Sequence, residues 1–313
     1  MNYTYVNSQI KVIEEKILKQ DAFLKLIKAS KDSFLNTLVD LGYGNEGTSV
    51  EEIIENELTS VKKYLDEVSP DKELTNLFFL VNDIVNIKYF YKIKLFNLKD
   101  TGNFQKNGVF TKEQLKSVIL DSNYSIIPKE YQKLFKMIAN KVNGINNPRT
   151  LSFIIDNTFF EYVLSHMKVR VNTPLHTYYK ILIDIKNILC YVRILNLNWK
   201  IDNQEFFIIG GNINLEKIKN LFTLKPEEVV KSLRDYYNEK LADILKDYFA
   251  VKDLTILELK LNNLLLSEMK KFENDSFGIG VILNYYLKKL AEAENIRSIY
   301  ANPSIDVSNL LFY

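Results

Sequence analysis

Three copies of one short pattern constrain this chain more than any other feature of its sequence. The pattern is an acid, two further residues, Asn and then Ile. It occurs as Asp83-Ile84-Val85-Asn86-Ile87-Lys88, Asp184-Ile185-Lys186-Asn187-Ile188-Leu189 and Glu292-Ala293-Glu294-Asn295-Ile296-Arg297. The asparagines are 101 and 108 positions apart. Near-equal spacing implies one supersecondary unit used three times, and the period lies outside the roughly 20–50 residues of common solenoid repeats.

A second polar marker precedes each copy: Ile54-Glu55-Asn56, Ile155-Asp156-Asn157 and Leu261-Asn262-Asn263. Their middle residues stand 31, 31 and 33 positions before the motif Asn. The midpoints fall on Ser69-Pro70, Val171 to Pro174 and Gly278, all turn signals. Each unit therefore reads as an antiparallel helical hairpin, with approximate boundaries at 1–106, 107–210 and 211–313. Asn is poor inside a helix because its side chain competes for backbone hydrogen bonds. Glu55, Asp156 and Asn262 are expected to face Asn86, Asn187 and Asn295 across the hairpin and, with Asp83, Asp184 and Glu292, to fix its register. The stretches between units run to 70 and 75 residues, and the two terminal segments together supply 73. That arithmetic predicts a closed ring whose N- and C-terminal segments share one junction.

The units themselves are helical. Gly and Pro number only 10 and 6, too few for the frequent turns of an all-β chain. Apolar residues recur at helical spacing over 3–19, 23–41, 51–68, 151–168 and, most cleanly, Tyr178 to Trp199. Longer helices are expected from Ser69-Pro70 to about Leu98, from Pro226 to about Phe249 and from Val281 to about Tyr300. Shorter ones follow the capping box of Thr111 and Gln114 and Pro128. Phe206 to Ile209 is the one segment with strand character. The predicted fold class is all-α.

Catalytic and cofactor signatures are absent, and no cofactor is expected. Gly42-Tyr43-Gly44-Asn45-Glu46-Gly47 spells G-x-G-x-x-G but follows a helix rather than a strand, so it reads as a loop before a new helix. His166 and His176 lack metal-ligand spacing, and Cys190, the single cysteine, reads as a small buried hydrophobe. Glu51-Glu52 and Glu227-Glu228 suit first helical turns. The net charge of +2 leaves no polyanion footprint and no nucleic-acid partner is expected. No run of 18 apolar residues and no signal-peptide core occurs, which predicts a cytoplasmic chain without a membrane span. Lys88, Lys92, Lys94 and Lys99, with Arg193 and Lys200 one repeat later, read as a solvated face. A docking role for Lys88, Lys92, Arg193 and Arg297 is the minority reading.

The opening Tyr3-Thr4-Tyr5-Val6-Asn7-Ser8-Gln9-Ile10, together with the three acid-x-x-Asn-Ile copies, resembles the C subunit of the bacterial and archaeal A/V-type rotary ATPases, the family that includes the d subunit of the eukaryotic V-ATPase. The resemblance covers the whole length. It implies a funnel of pseudo-threefold symmetry without catalysis of its own, seating the central shaft (the D and F subunits) and resting on the membrane rotor ring. Two departures stand out: Leu189 replaces the base of the other copies, and Tyr300-Ala301-Asn302-Pro303 replaces the Gly-Lys step after the third. A helical-repeat scaffold for another protein or peptide is the alternative, and an all-α enzyme the third reading.

Overall fold

The computed structural model describes residues 2–44, 47–168, 173–199 and 206–313; no strand occurs among them. In chain order the helices are α1 (Tyr3–Glu14), α2 (Gln20–Lys28), α3 (Phe34–Asp40), α4 (Val50–Val68), α5 (Lys72–Phe79), α6 (Asp83–Phe96), α7 (Lys112–Ile119) and α8 (Lys129–Lys141). They continue with α9 (Pro148–His166), α10 (Pro174–Asn196), α11 (Leu215–Asn220), α12 (Pro226–Ser232), α13 (Lys240–Val251), α14 (Leu254–Met269) and α15 (Gly280–Ala301).

Local chemistry explains many of the boundaries. Thr111 Oγ1 accepts from Gln114 N (3.2 Å) while Gln114 Oε1 accepts from Thr111 N (2.9 Å), closing the capping box that starts α7. Thr173 accepts from His176 N (3.3 Å) ahead of Pro174, where a missing N–H costs nothing. Three expectations need correction. The helix expected to run from Ser69-Pro70 to Leu98 is interrupted by a 3-10 turn at Leu80–Asn82 and ends at Phe96, where Asn97 turns left-handed (φ 51°). The helix expected over Pro226 to Phe249 is broken by left-handed Tyr237, Asn238 and Glu239, so that α12 and α13 fold back on each other. The strand candidate at Phe206 to Ile209 is not a strand, because the Ile208 main chain bonds to the Asn187 side chain instead of to a neighbouring strand. The Val171 end of the second turn signal, Asn45-Glu46 and Lys200 lie outside the described residues.

The chain forms two compact units: Met1–Thr75 with Lys225–Tyr313, and Asn76–Leu224. In the first, α15 packs against α1, α2, α4 and α14. Ala293, Ile296 and Ile299 of α15 are fully or almost fully buried with Ile53, Ile54 and Leu58 of α4, Phe23 and Leu26 of α2, and Leu310. The leucine, isoleucine and phenylalanine side chains among them contribute about 1.5–3 kcal/mol each on full burial. The two ends of the sequence meet inside this unit. Tyr313 Oη donates to Leu18 O (2.8 Å), and Asn7 Nδ2 of α1 donates to Asp275 O (2.7 Å) and Gly278 O (3.1 Å) in the turn before α15. The opening motif therefore closes the third turn.

In the second unit α9 packs against α6, α8 and α10, and α7 packs on α6. Phe159, Phe160 and Tyr179 form a ring cluster, and Tyr179 Oη donates to Leu77 O (2.5 Å), satisfying a hydroxyl in an apolar interior. The small net charge conceals a division between the units. Residues 76–224 carry +9, whereas 1–75 with 225–313 carry −7.

Candidate functional site

Buried carboxylates and amides need partners, and the six motif residues are no more than 1% exposed. Their partners are not the upstream markers. Asn86 Nδ2 donates to Gln105 O (2.8 Å) and its Oδ1 accepts from Gln105 N (2.9 Å). Asn187 does the same with Ile208 (2.8 Å both ways) and Asn295 with Leu311 (2.9 and 2.7 Å). The three gripped residues, 105, 208 and 311, recur at intervals of 103. Each amide thus mimics a backbone unit and holds one residue of the segment that follows its helix, as a strand partner would.

The acids hold the same segments further along. Asp83 accepts from Val109 N (2.6 Å) and Phe110 N (3.4 Å), and Asp184 from Asn212 N (2.9 Å) and Ile213 N (3.1 Å). Glu292 accepts from Leu18 N (2.6 Å), a residue near the opposite end of the sequence. Phe110, Ile213 and Leu18 are equivalent in one further respect. Each immediately precedes the N-cap of a helix: Thr111 of α7, Asn214 of α11 and Lys19 of α2. The acid–Asn pair therefore fixes where the next helix begins, and the third copy draws that helix from the N-terminal segment.

Two glycines complete the first two pins. A Cβ on Gly108 would run into the Asp83 carboxylate, and one on Gly211 into that of Asp184. Close approach of main chain to carboxylate therefore requires Gly at both places. Sequence reasoning missed this, although Gly-x-apolar followed by an N-cap is readable after both motifs as Gly108-Val109-Phe110-Thr111 and Gly211-Asn212-Ile213-Asn214.

The upstream markers act elsewhere, which corrects the expected pairing across each hairpin. Asp156 of α9 accepts from Lys88 Nζ (2.6 Å), the base that follows the first motif. Arg297, in the same position after the third motif, makes a two-point contact with Glu51 of α4 through Nε (2.9 Å) and Nη2 (2.6 Å). Glu51 lies one turn before Glu55, which is half-buried. Asn262 is exposed, and its neighbour Asn263 accepts from Phe312 N (2.9 Å). Lys92 is half-buried and Arg193 exposed. Lys88 and Arg297 are thus drawn into ion pairs within their own units, which leaves them less available for docking.

Electrostatics follow from these contacts. The Arg297 hydrogen bonds hold the Glu51 carboxyl below its usual range, against a smaller opposing effect of burial. Burial pushes Glu292 up, opposed by Lys289 and by the Leu18 N–H. Lys289 bridges Glu292 and Glu57 (2.7 Å to Glu57) and lies 4.7 Å from the Tyr43 ring centre, so the third pin sits in an ion-paired pocket rather than a bare one. Burial lowers Lys186, countered by Asp156, and raises the Cys190 thiol to about 12, which keeps it protonated at neutral pH. Glu51, Glu292 and Lys289 are thus engaged with backbone or with ion-pair partners.

The family model for the ATP synthase (C/AC39) subunit matches residues 6–301. The chain belongs to this family. It is also similar to the C subunit of the V-type ATP synthase from two strains of Thermus thermophilus. Each relative is 20% identical over 312 residues, covering 95% of this chain and 92% of the relative. In this family member all three pins fall within the matched span, whereas Leu311, held by Asn295, lies beyond it. No described helix is long and apolar enough to cross a membrane.

Proposed function

We propose that this chain is a non-catalytic central-stalk subunit of a V/A-type rotary ATPase. It joins the rotating shaft, made of the D and F subunits, to the membrane rotor ring and passes torque between ATP-driven rotation and proton or sodium transport. The observation that carries the reading is the family match over residues 6–301, nearly the whole chain. On this reading the chain is peripheral to the membrane and held there through the complex. The three hairpin units enclose a funnel closed by the terminal segments, and the third pin supports that closure, since its carboxylate on α15 holds the residue before the N-cap of α2. Many shared contacts between adaptor and partners transmit torque without any one being strong.

The test is reconstitution with purified shaft and ring subunits in low detergent. Co-elution with both, and coupled ion transport that disappears when this chain is left out, is the expected result. Failure to bind either partner overturns the reading, as does a gene neighbourhood lacking rotary-ATPase catalytic, shaft and ring subunits.

A further inference from the structure

The register set by the pins extends beyond them. Seven positions before Asn187 on α10 stands Lys180, and seven before Asn295 on α15 stands Lys288. Counting from the gripped residues Ile208 and Leu311, Ile209 corresponds to Phe312 and Gly210 to Tyr313. The same groove should therefore occur twice, and the structure shows it in two states.

In the unit containing α15 the groove is occupied by α1 and divided into two smaller cavities, of about 450 Å³ beside Glu14, Lys288 and Tyr313 and about 240 Å³ beside Leu266, Asn284 and Phe312. Helix α1 lies along α15 with Val6, Asn7 and Ile10 buried, and its Glu14 forms an ion pair with Lys288 (2.6 Å), both side chains about 15% exposed. Burial alone would raise the Glu14 carboxyl, but Lys288 and Lys11 hold it below its usual range.

In the unit containing α10 the groove is open, at about 1210 Å³. Gly210 stands where the other copy has Tyr313, and Leu164 packs directly against it, so no side chain from this position reaches into the groove. The floor is apolar, with Ile154 and Leu164 of α9 and Phe207, and Ile209 stands 69% exposed at the edge. Lys141, Lys168 and Lys180 border it, and the one acid in the lining, Glu161, is engaged by Lys141 (2.7 Å). Among the described residues neither Lys168 nor Lys180 has an ion pair. The Thr158 hydroxyl beside the groove is buried without a hydrogen-bond partner. This unit is also the one that carries +9.

We propose that the α9–α10 groove docks an amphipathic helix of a partner protein, with its apolar face on Ile154, Leu164 and Ile209 and a carboxylate on Lys180, as Glu14 of α1 meets Lys288. Occupation covers exposed Ile209 and the half-buried Ile154 and Leu164 and supplies the missing counter-charge. Whether or not the chain couples a shaft to a ring, the groove and its lysine are unchanged.

The probe is the chain's own α1 sequence, residues 2–16, as a fluorescein-labelled peptide locked in helical form. It is titrated with the full-length chain and read by fluorescence anisotropy. Saturable binding is expected. Lys180→Glu should weaken it by about tenfold or more. A peptide carrying Glu14→Lys should bind the native chain poorly and regain affinity for the Lys180→Glu chain. Ile209→Asp, at an exposed position, should also weaken binding while circular dichroism and the thermal melt stay as in the native chain. No saturable binding up to about 1 mM overturns the proposal. So does undiminished binding by Lys180→Glu, which would place the peptide elsewhere, including on the face that α1 itself covers.

Discussion

Replacing Asn187 with Leu removes two hydrogen bonds at one stroke while keeping the side-chain volume. Both bonds go to Ile208, itself 5% exposed, so water does not replace them. An orphaned buried N–H or C=O costs about 1–3 kcal/mol, and two are created. Burying leucine carbons recovers about 1–2 kcal/mol. With each orphan near the middle of its range, the expected net loss is about 2–3 kcal/mol. Asn86→Leu provides the internal comparison. Its partner Gln105 is exposed, so solvent takes over much of the bonding and the loss should be about 1–2 kcal/mol. Because two compact units need not unfold together, a global melt mixes their stabilities, and amide hydrogen exchange is the better assay. Exchange in the segment 206–213 should accelerate about 30- to 140-fold in Asn187→Leu if it opens locally. Equal losses for the two variants, or unchanged protection at Ile208, would refute the reasoning. An Asn187→Leu chain with native protection throughout that lost only shaft binding would show the residue to be a contact instead of a pin.

Other outcomes follow from the same geometry. Gly211→Ala and Gly108→Ala should each cost well over 1 kcal/mol by urea unfolding, because the new Cβ meets a pinned carboxylate. Gly144→Ala, with φ +76° and open space around it, should cost only about 1 kcal/mol of backbone strain. In double-mutant cycles Lys88–Asp156, with side chains 20% and 12% exposed, should couple more strongly than Arg297–Glu51, at 36% and 66%, and resist salt better. Glu51 is lowered by Arg297, so its contribution is present above the unfolded carboxyl value near 4.3 and lost as pH falls through the folded value. An NMR titration should show Glu51 moving up in Arg297→Gln, and an unmoved value would discount the contact. Cys190, raised to about 12, should react with a thiol reagent at pH 7 far more slowly than the thiol of a model peptide.

Helix content and most helix starts were legible because caps and apolar periodicity are local. Thr111, Thr173 and Pro174 announce their helices within four residues. The repeat was legible too, since Asn86, Asn187 and Asn295 stand out as polar residues in apolar runs. Their partners were not. An amide that grips a backbone 16 to 21 positions downstream depends on the path of the loop, and main-chain groups carry no residue identity for a sequence to reveal. Glu55, Asp156 and Asn262 matched by count, but spacing along a chain does not determine which face a side chain occupies. The reversal between α12 and α13 was hidden for a related reason. Nothing in Tyr237-Asn238-Glu239 demands three left-handed residues, and the turn is set by the packing of α12 on α13.

The bond from Leu18 to Glu292 has a bearing on biosynthesis. The pins of residues 83–110 and 184–213 join groups fewer than thirty positions apart, so residues 76–224 can close while translation continues. The other unit must wait. Its first helices emerge with their apolar faces uncovered and find α15 only after the chain has been made through residue 301. A chaperone that holds α1 to α4 during synthesis would be guarding an unfinished half of the protein while the other half is already folded.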